Sequence, residues 1–182
     1  MRRWLLAAAL LCWPLSILAE WKNEPTSYRS VPFGSTQADA MAALDNLNVC
    51  TKETGGGMLA CTDARSSFML GTVAINERLF FPDGTFVQVV IEFSSNSHDF
   101  VRSVFVEKFG EPHRLASERF KTRGGAEFQN EVATWEGKEV IVVLRTFGGD
   151  VGTSRAIIAT KQFLESEDER AKVARKAAAS AF

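Results

Sequence analysis

Histidine and tyrosine are scarce in this sequence, which contains two histidines, His98 and His113, and a single tyrosine, Tyr28. With so few histidines, there are few ways to build a catalytic site that uses imidazole as a general base. The Gly-x-Ser-x-Gly motif is missing, and the glycine-rich segment 148–152 lacks the lysine of a phosphate-binding loop. The sequence therefore predicts no catalytic residues and no cofactor, and it favours a non-enzymatic protein.

Long apolar runs are missing except at the N-terminus. The run Trp4–Leu18 follows a short basic start at Arg2 and Arg3 and precedes Ala19 and a polar segment. This layout is typical of a secretory signal peptide over residues 1–19, and the run is too short to cross a membrane comfortably. An uncleaved N-terminal anchor is the alternative. We predict cleavage after Ala19, a periplasmic or secreted location, and no transmembrane anchor after cleavage.

Positive charge is not in excess either. The sequence has 21 basic and 22 acidic residues, and removal of residues 1–19 leaves 19 basic ones, which gives a formal charge of −3. Binding of nucleic acid requires a concentrated basic surface, which no stretch of the chain supplies. The sequence therefore predicts that nucleic acid is not a partner.

Cysteine is limited to Cys50 and Cys61 once the predicted signal peptide is removed. Gly55 and Gly56 lie midway between them, so a hairpin centred there places the two cysteines directly opposite each other, within disulfide reach. A redox-active or metal-binding pair is the alternative, but the chain has no Cys-x-x-Cys motif and no histidine nearby. We predict a structural disulfide and no metal site.

Residues 78–112 carry the clearest structural pattern, which is a strand, a tight turn, a second strand and a helix. The turn is Pro82–Thr85, and the next eight residues alternate with the period of a strand. Its two predicted faces are Val87, Val89, Ile91 and Phe93, and Phe86, Gln88, Val90 and Glu92. The helix begins after Ser94–Ser97 and ends at Gly110. Its ending, residues 107–112, resembles endings in small exported bacterial proteins built from helices on an antiparallel sheet.

The remaining segments complete a mixed fold. Residues 20–32 are predicted as an extended lead-in, then a helix capped by Ser35 or Thr36, then the hairpin Val49–Thr62. Strands are predicted over 68–76, 77–81, 113–122, 127–135, 139–147 and 154–160, with a charged helix from Phe163 onwards. The apolar run Val140–Leu144 predicts a central strand covered on both faces. The predicted class is α+β, with a single antiparallel sheet, two helices packed on one face, and a C-terminal charged helix.

Three residues near the second helix form a candidate polar site. His98 and Asp99 stand in its first turn, and His113 follows its end. Because a helix rises about 1.5 Å per residue, the two histidines cannot share a metal ion or a proton. The alternative is that His98 and Asp99 are exposed first-turn residues, with Asp99 complementing the helix dipole.

Trp135 and Phe182 are candidate contact residues. Trp135 lies beside the predicted turn at Gly137, where an exposed indole would mark a recognition surface, and packing on an edge strand is the alternative. Phe182 ends a charged helical tail, residues 164–182, which follows a single domain spanning residues 33–163.

Two functions are compatible with these features. The first is an exported, non-enzymatic protein-binding or accessory module, whose sheet or terminal helix engages another exported or envelope protein. The second is a small-ligand carrier or hydrolase-like enzyme that uses a pocket between sheet and helices. The lack of a catalytic motif favours the first function, whereas a deep apolar pocket beneath the first two helices would favour ligand carriage.

Overall fold

A computed structural model of the protein describes residues 21–44, 47–52, 58–63, 68–122 and 124–180. The predicted signal peptide, the predicted turn at Gly55 and Gly56, and the candidate contact Phe182 lie outside the described residues. Within them the helices are α1 Gln37–Ala43, α2 His98–Phe109 and α3 Lys161–Ala179. None of these helices combines the length and the apolar character needed to cross a membrane.

Nine of the described strands form one antiparallel sheet, and two form a separate hairpin. The strands are β1 Ser27–Tyr28, β2 Val31–Pro32, β3 Leu47–Lys52, β4 Leu59–Asp63, β5 Phe68–Leu70, β6 Val73–Phe81, β7 Gln88–Ser94, β8 Arg114–Lys121, β9 Glu127–Glu136, β10 Val140–Arg145 and β11 Thr153–Thr160. The sheet order is β3-β4-β6-β7-β11-β10-β9-β8, and β5 pairs with the part of β6 that β4 does not reach. The α+β class is confirmed, and the predicted run of four strands between the second and third helices is correct.

Local caps explain where α1 begins and where α2 ends. Thr36, one of the two predicted caps, accepts a hydrogen bond from the backbone N–H of Asp39 at 3.2 Å. Ser97 precedes α2, but its side chain makes no capping hydrogen bond. At the other end, Gly110 has φ of 83°, and its N–H donates to the carbonyl of Val106 at 2.8 Å. Glycine adopts this left-handed conformation without steric cost, so α2 ends where the sequence predicts.

The helices α1 and α2 contribute to one large core on a single face of the sheet. Besides Ala40 and Phe105 from these helices, this core contains strand residues that include Leu79, Val89, Ile91, Trp135, Val142, Leu144 and Ile158. The second buried cluster is much smaller and consists of Ala60, Phe80 and Val90. The main core therefore lies between the sheet and the two helices.

Two predicted burial patterns differ from this arrangement. β10 buries Val140, Val142 and Leu144, but Ile141 and Val143 are only partly buried, so the strand is fully covered on one face rather than two. The physical reason is that α1 and α2 pack on the same side of the sheet.

Phe86 was predicted on the face opposite Val89 and Ile91, yet it is fully buried in the same core. β7 begins only at Gln88, and the N–H of Phe86 donates to the carbonyl of Ser35 at 2.8 Å. Because Phe86 precedes the strand, the period of two does not apply to it.

The predicted break between residues 76 and 77 is also displaced. β6 runs without interruption from Val73 to Phe81, and the turn that precedes it contains Gly71, with φ of 60°. A positive φ at this turn suits glycine, and the apolar series on either side of residue 76 belongs to one strand.

β3 and β4 form the predicted hairpin and hold the predicted disulfide. Cys50 lies directly opposite Cys61 in the register, with the Cα atoms 4.1 Å apart, and the two residues are bonded. Disulfides persist mainly in oxidising compartments, so this bond is compatible with an exported protein.

Residues 21–32, predicted as an extended lead-in, pack on the rest of the chain. Trp21, Tyr28 and Val31 are buried, and the β1–β2 hairpin places Tyr28 against β6. This segment therefore contributes side chains to the core, although its polar composition gave no sign of it.

The C-terminal helix is charged, as predicted, and makes few contacts with the body of the protein. Phe163 is buried, whereas residues 168–180 are exposed. Ion pairs along its surface join Lys172 to Asp168 at 2.7 Å and Arg170 to Glu167 at 2.7 Å. Such pairs stabilise an exposed helix by a few tenths of a kcal/mol each, roughly.

Candidate functional site

An apolar cavity of about 160 Å³ lies between α2 and the sheet. Its floor consists of Ile75, Ile91 and Ile158, which come from the neighbouring strands β6, β7 and β11. The other lining residues are Ser27, Tyr28, Arg29, Phe68, Leu70, Val101, Val104, Phe105, Lys108 and Phe109. A concave, mainly apolar space with a few polar groups is the usual form of a small-ligand site.

Helical spacing places Phe100, Val104 and Lys108 in one row on α2, because residues four apart share a face. Val104 and Lys108 line the cavity. Phe100 lies beyond them against the β5–β6 turn, where a Cβ built on Gly71 would stand 3.1 Å from its ring. The row therefore changes from an aromatic residue at the turn to a cation at the other end.

A polar depression of about 340 Å³ adjoins the cavity. It is lined by Asn23, Glu24, Pro25, Thr26, Ser27, Lys108 and Phe109. Ser27, Lys108 and Phe109 line both spaces. An apolar and a polar compartment therefore meet at the exposed side chain of Lys108.

One wall of the cavity comes from the β1–β2 hairpin, whose turn residues Arg29 and Ser30 have φ of 45° and 72°. Such conformations cost roughly 1 kcal/mol or more for each non-glycine residue. Arg29 forms an ion pair with the buried Glu77, and its guanidinium lies 4.1 Å from the centroid of the Phe68 ring. These two contacts offset the strain and hold Arg29 at the cavity wall.

Glu77 lies on the apolar face of β6 and is 3% exposed. One carboxylate oxygen accepts from Arg29, and the other accepts from the hydroxyl of Tyr28 at 2.5 Å. Burial of Tyr28, together with the charge of Glu77 and the hydrogen bond to it, raises the pKa of Tyr28 well above its usual range. Tyr28 therefore keeps its proton and donates a hydrogen bond to Glu77.

Glu24 connects the polar depression to the turn between β9 and β10. Its carboxylate accepts backbone N–H groups from Lys138 at 2.9 Å and from Glu139 and Val140 at 2.6 Å. Burial by itself would raise the pKa of Glu24, but these hydrogen bonds and a nearby lysine lower it below its usual value. Because the folded-state pKa is depressed, the contact stabilises the fold above the unfolded pKa, and its contribution disappears as the pH falls through the folded value.

Two indole groups satisfy the carbonyls at the end of α2. Trp21 Nε1 donates to the carbonyl of Phe109, and Trp135 Nε1 donates to the carbonyl of Gly110, both at 2.7 Å. Trp135 is fully buried, so it cannot be the exposed contact residue that the sequence suggested. It packs in the core from β9, which lies inside the sheet rather than at its edge.

His98 is buried at the start of α2, contrary to the expectation of an exposed first-turn residue. Its Nδ1 lies 3.4 Å from Asp99 Oδ1 and its Nε2 lies 3.4 Å from Thr146 Oγ1, which are long distances for hydrogen bonds. His113 Nδ1 accepts instead from the N–H of Glu136 at 2.9 Å. The two histidines belong to separate surroundings, and neither they nor Asp99 line the cavity or the polar depression.

Among the residues that the structure describes, no group of three or more His, Cys, Asp or Glu side chains is arranged to hold a metal ion. The polar residues that line the cavity come instead from the β1–β2 hairpin and α2.

Sequence reasoning missed Arg29, Glu77 and Lys108 as site residues. Glu77 had a detectable signal, because it interrupts the alternating apolar series of one strand and so places an acid toward the core. Its partners Tyr28 and Arg29 are 49 and 48 residues away in the chain, and no local pattern connects them. Lys108 resembles any lysine in the last turn of a helix.

Comparison of the chain with protein-family models, curated proteins and solved structures finds no match. Function is therefore inferred from the geometry of the cavity and its surroundings.

Proposed function

We propose that this protein is an exported, non-enzymatic binding module that carries a small apolar group in the cavity between α2 and the sheet. The observation that carries this proposal is the cavity itself, which is a concave and mainly apolar space lined by four strands of the large sheet, α2 and the β1–β2 hairpin. The Cys50–Cys61 disulfide supports export, since such bonds persist in the periplasm and outside the cell.

The size of the cavity matches one small ligand group. Its volume of about 160 Å³ is close to the roughly 150 Å³ at which an engineered apolar cavity in another protein stays dry and binds benzene. The hairpin wall is held by the contacts of Glu77 with Tyr28 and Arg29, so it needs little reordering when a ligand binds. A molecule with about six carbon atoms in its apolar part suits this space.

Binding of 1-hexanol tests the carrier function. We expect saturable binding to the mature protein, with shifts in the methyl NMR signals of Ile91, Val104 and Ile158, because these side chains line the cavity. Val104 is only partly buried on α2, so Val104→Trp fills the space with little strain on the fold. This variant should weaken the affinity for 1-hexanol about tenfold or more, as measured by calorimetry.

Val173→Trp is the matched control for this experiment. Val173 is also a helical valine, but it is 67% exposed on α3 and lines neither the cavity nor the depression. The control should bind 1-hexanol as the unchanged protein does. Absence of saturable binding, or equal binding by Val104→Trp, would contradict the carrier function.

A protein partner is the second candidate function, and α3 is the observation that favours it. Residues 168–180 form exposed helix beyond the contact at Phe163. Helices in folded proteins gain most of their stability from packing an apolar face, and this segment buries none of its side chains among the described residues. We infer that another exported or envelope protein binds this helix.

Removal of residues 168–182 tests the second candidate and leaves Phe163 in place. Affinity capture of the processed protein from its own compartment should recover one partner in near-stoichiometric yield with the full chain and not with the shortened one. Equal recovery with both chains, or no partner with either, would argue against a role of α3 in binding.

A further inference from the structure

Lys108 occupies the junction between the apolar cavity and the polar depression, and it lines both. Its side chain is exposed, and its ammonium group lies 5.4 Å from the centroid of the Phe109 ring. Within the described part of the chain, the ion pairs of the acidic side chains are made with other basic residues, and none involves Lys108. The ammonium group is therefore available to a ligand.

Stabilisation of the C-terminal end of α2 does not explain why a lysine stands at position 108. A lysine in the last turn complements the negative end of the helix dipole. However, the carbonyls of Phe109 and Gly110 already accept hydrogen bonds from the indoles of Trp21 and Trp135. These carbonyls have their donors without Lys108.

Glu24 lines the polar depression and Glu77 holds the hairpin wall of the cavity, and both carboxylates have other partners. Both oxygens of Glu24 accept backbone N–H groups of the β9–β10 turn. One oxygen of Glu77 accepts from Arg29, and the other accepts from Tyr28. Lys108 is thus a cation beside an apolar cavity, with neither of these acids paired to it, and it favours a negative group on whatever enters.

We propose that the carried molecule is a small amphipathic anion, whose apolar tail fills the cavity and whose anionic head group pairs with Lys108 in the polar depression. This inference rests on the proposed carrier function. Asn23, Thr26 and Ser27 line the head-group side, and their amide and hydroxyl groups can donate hydrogen bonds to anionic oxygens.

Comparison of hexanoate with 1-hexanol separates the contribution of the anionic head group from that of the apolar tail. The two molecules share a chain length and differ in the charge of the head group. By calorimetry at low salt, the mature protein should bind hexanoate about fivefold more tightly than 1-hexanol, the upper range for an exposed ion pair. Lys108→Gln should remove this preference, measured as the ratio of the affinities for hexanoate and 1-hexanol in the same variant. Added salt should also reduce the preference for hexanoate, because salt screens an exposed ion pair.

Lys22→Gln is the control for the loss of one positive charge, since Lys22 is exposed and lines neither compartment. It should keep the preference for hexanoate. Equal affinities of the mature protein for the two probes, or an unchanged preference in Lys108→Gln, would overturn the anion inference while the carrier function stands. Binding of neither probe would overturn both.

Discussion

Glu77→Ala is expected to lower the free energy of unfolding by about 3 kcal/mol, because removal of one partner from a buried ion pair leaves the other partner uncompensated. The substitution would leave the buried hydroxyl of Tyr28 without its acceptor and Arg29 without its counter-ion. The value lies at the lower end of the range for buried pairs because the side chain of Arg29 is 26% exposed and can regain water. Urea unfolding of the mature protein with its disulfide intact measures the change.

The matched control is Glu92→Ala, which breaks a more exposed Glu–Arg pair on the sheet. Glu92 on β7 pairs with Arg155 at 2.6 Å, and their side chains are 27% and 36% exposed. More exposed pairs contribute about 1 kcal/mol or less, so this control should cost much less than Glu77→Ala. Equal losses of unfolding free energy in the two variants would show that burial does not determine how much the Glu77 ion pair contributes to stability.

Trp135→Ala is expected to destabilise the protein by about 4 kcal/mol, as is usual when a fully buried aromatic side chain is truncated. Trp135 is 0% exposed, and its ring centroid lies 6.1 Å from that of Phe105 and 6.2 Å from that of Phe109. The substitution would open a space beneath the end of α2 and also remove the donor to the carbonyl of Gly110. Thermal or urea unfolding would detect the loss.

Trp135→Phe separates packing from hydrogen bonding. The variant keeps an aromatic ring but loses the indole N–H, so a loss of about 1–2 kcal/mol is expected from the carbonyl left without its donor. Leu115→Ala on β8 is the control for a large apolar residue that is 53% exposed, and it should change stability by about 0.5 kcal/mol or less. A loss from Trp135→Ala as small as that of Leu115→Ala would contradict the packing described for β9.

These contacts have a common consequence for the proposed function. The Glu77 contacts hold the hairpin wall of the cavity, and the two indoles hold the end of α2 from which Lys108 extends. A cavity supported in this way keeps its shape without ligand, which lowers the ordering cost of binding. The residues that support the cavity are therefore distinct from Val104 and Lys108, whose substitution should change binding rather than folding.

Local sequence patterns predicted the elements whose causes are local. The end of α2 at Gly110 follows from the freedom of glycine at positive φ, and the pairing of Cys50 with Cys61 follows from symmetry about a predicted turn. Phe86 shows the limit of such patterns. The alternating sequence pattern extends back to Phe86 and predicts that it faces away from Val89, but β7 has not yet begun at this residue, and both side chains lie in the same core.

The cavity and its polar residues could not be predicted in this way. Tyr28 and Arg29 reach Glu77 only because the short β1–β2 hairpin folds back onto β6, and residues 21–32 have no periodicity that would indicate this. Burial of His98 and Trp135 likewise depends on what packs against them from distant parts of the chain.

By itself, the sequence determined the α+β class, the order of the three helices, the four strands between the second and third of them, and the disulfide, because these depend on the period of apolar residues, on turn chemistry and on short spacings along the chain. The tertiary structure alone decided which side of each strand is covered, where Glu77 finds its partners, and that Lys108 stands between an apolar and a polar compartment. The physical reason is that burial and pairing in a folded protein are made by residues far apart in the chain, which local propensities do not encode.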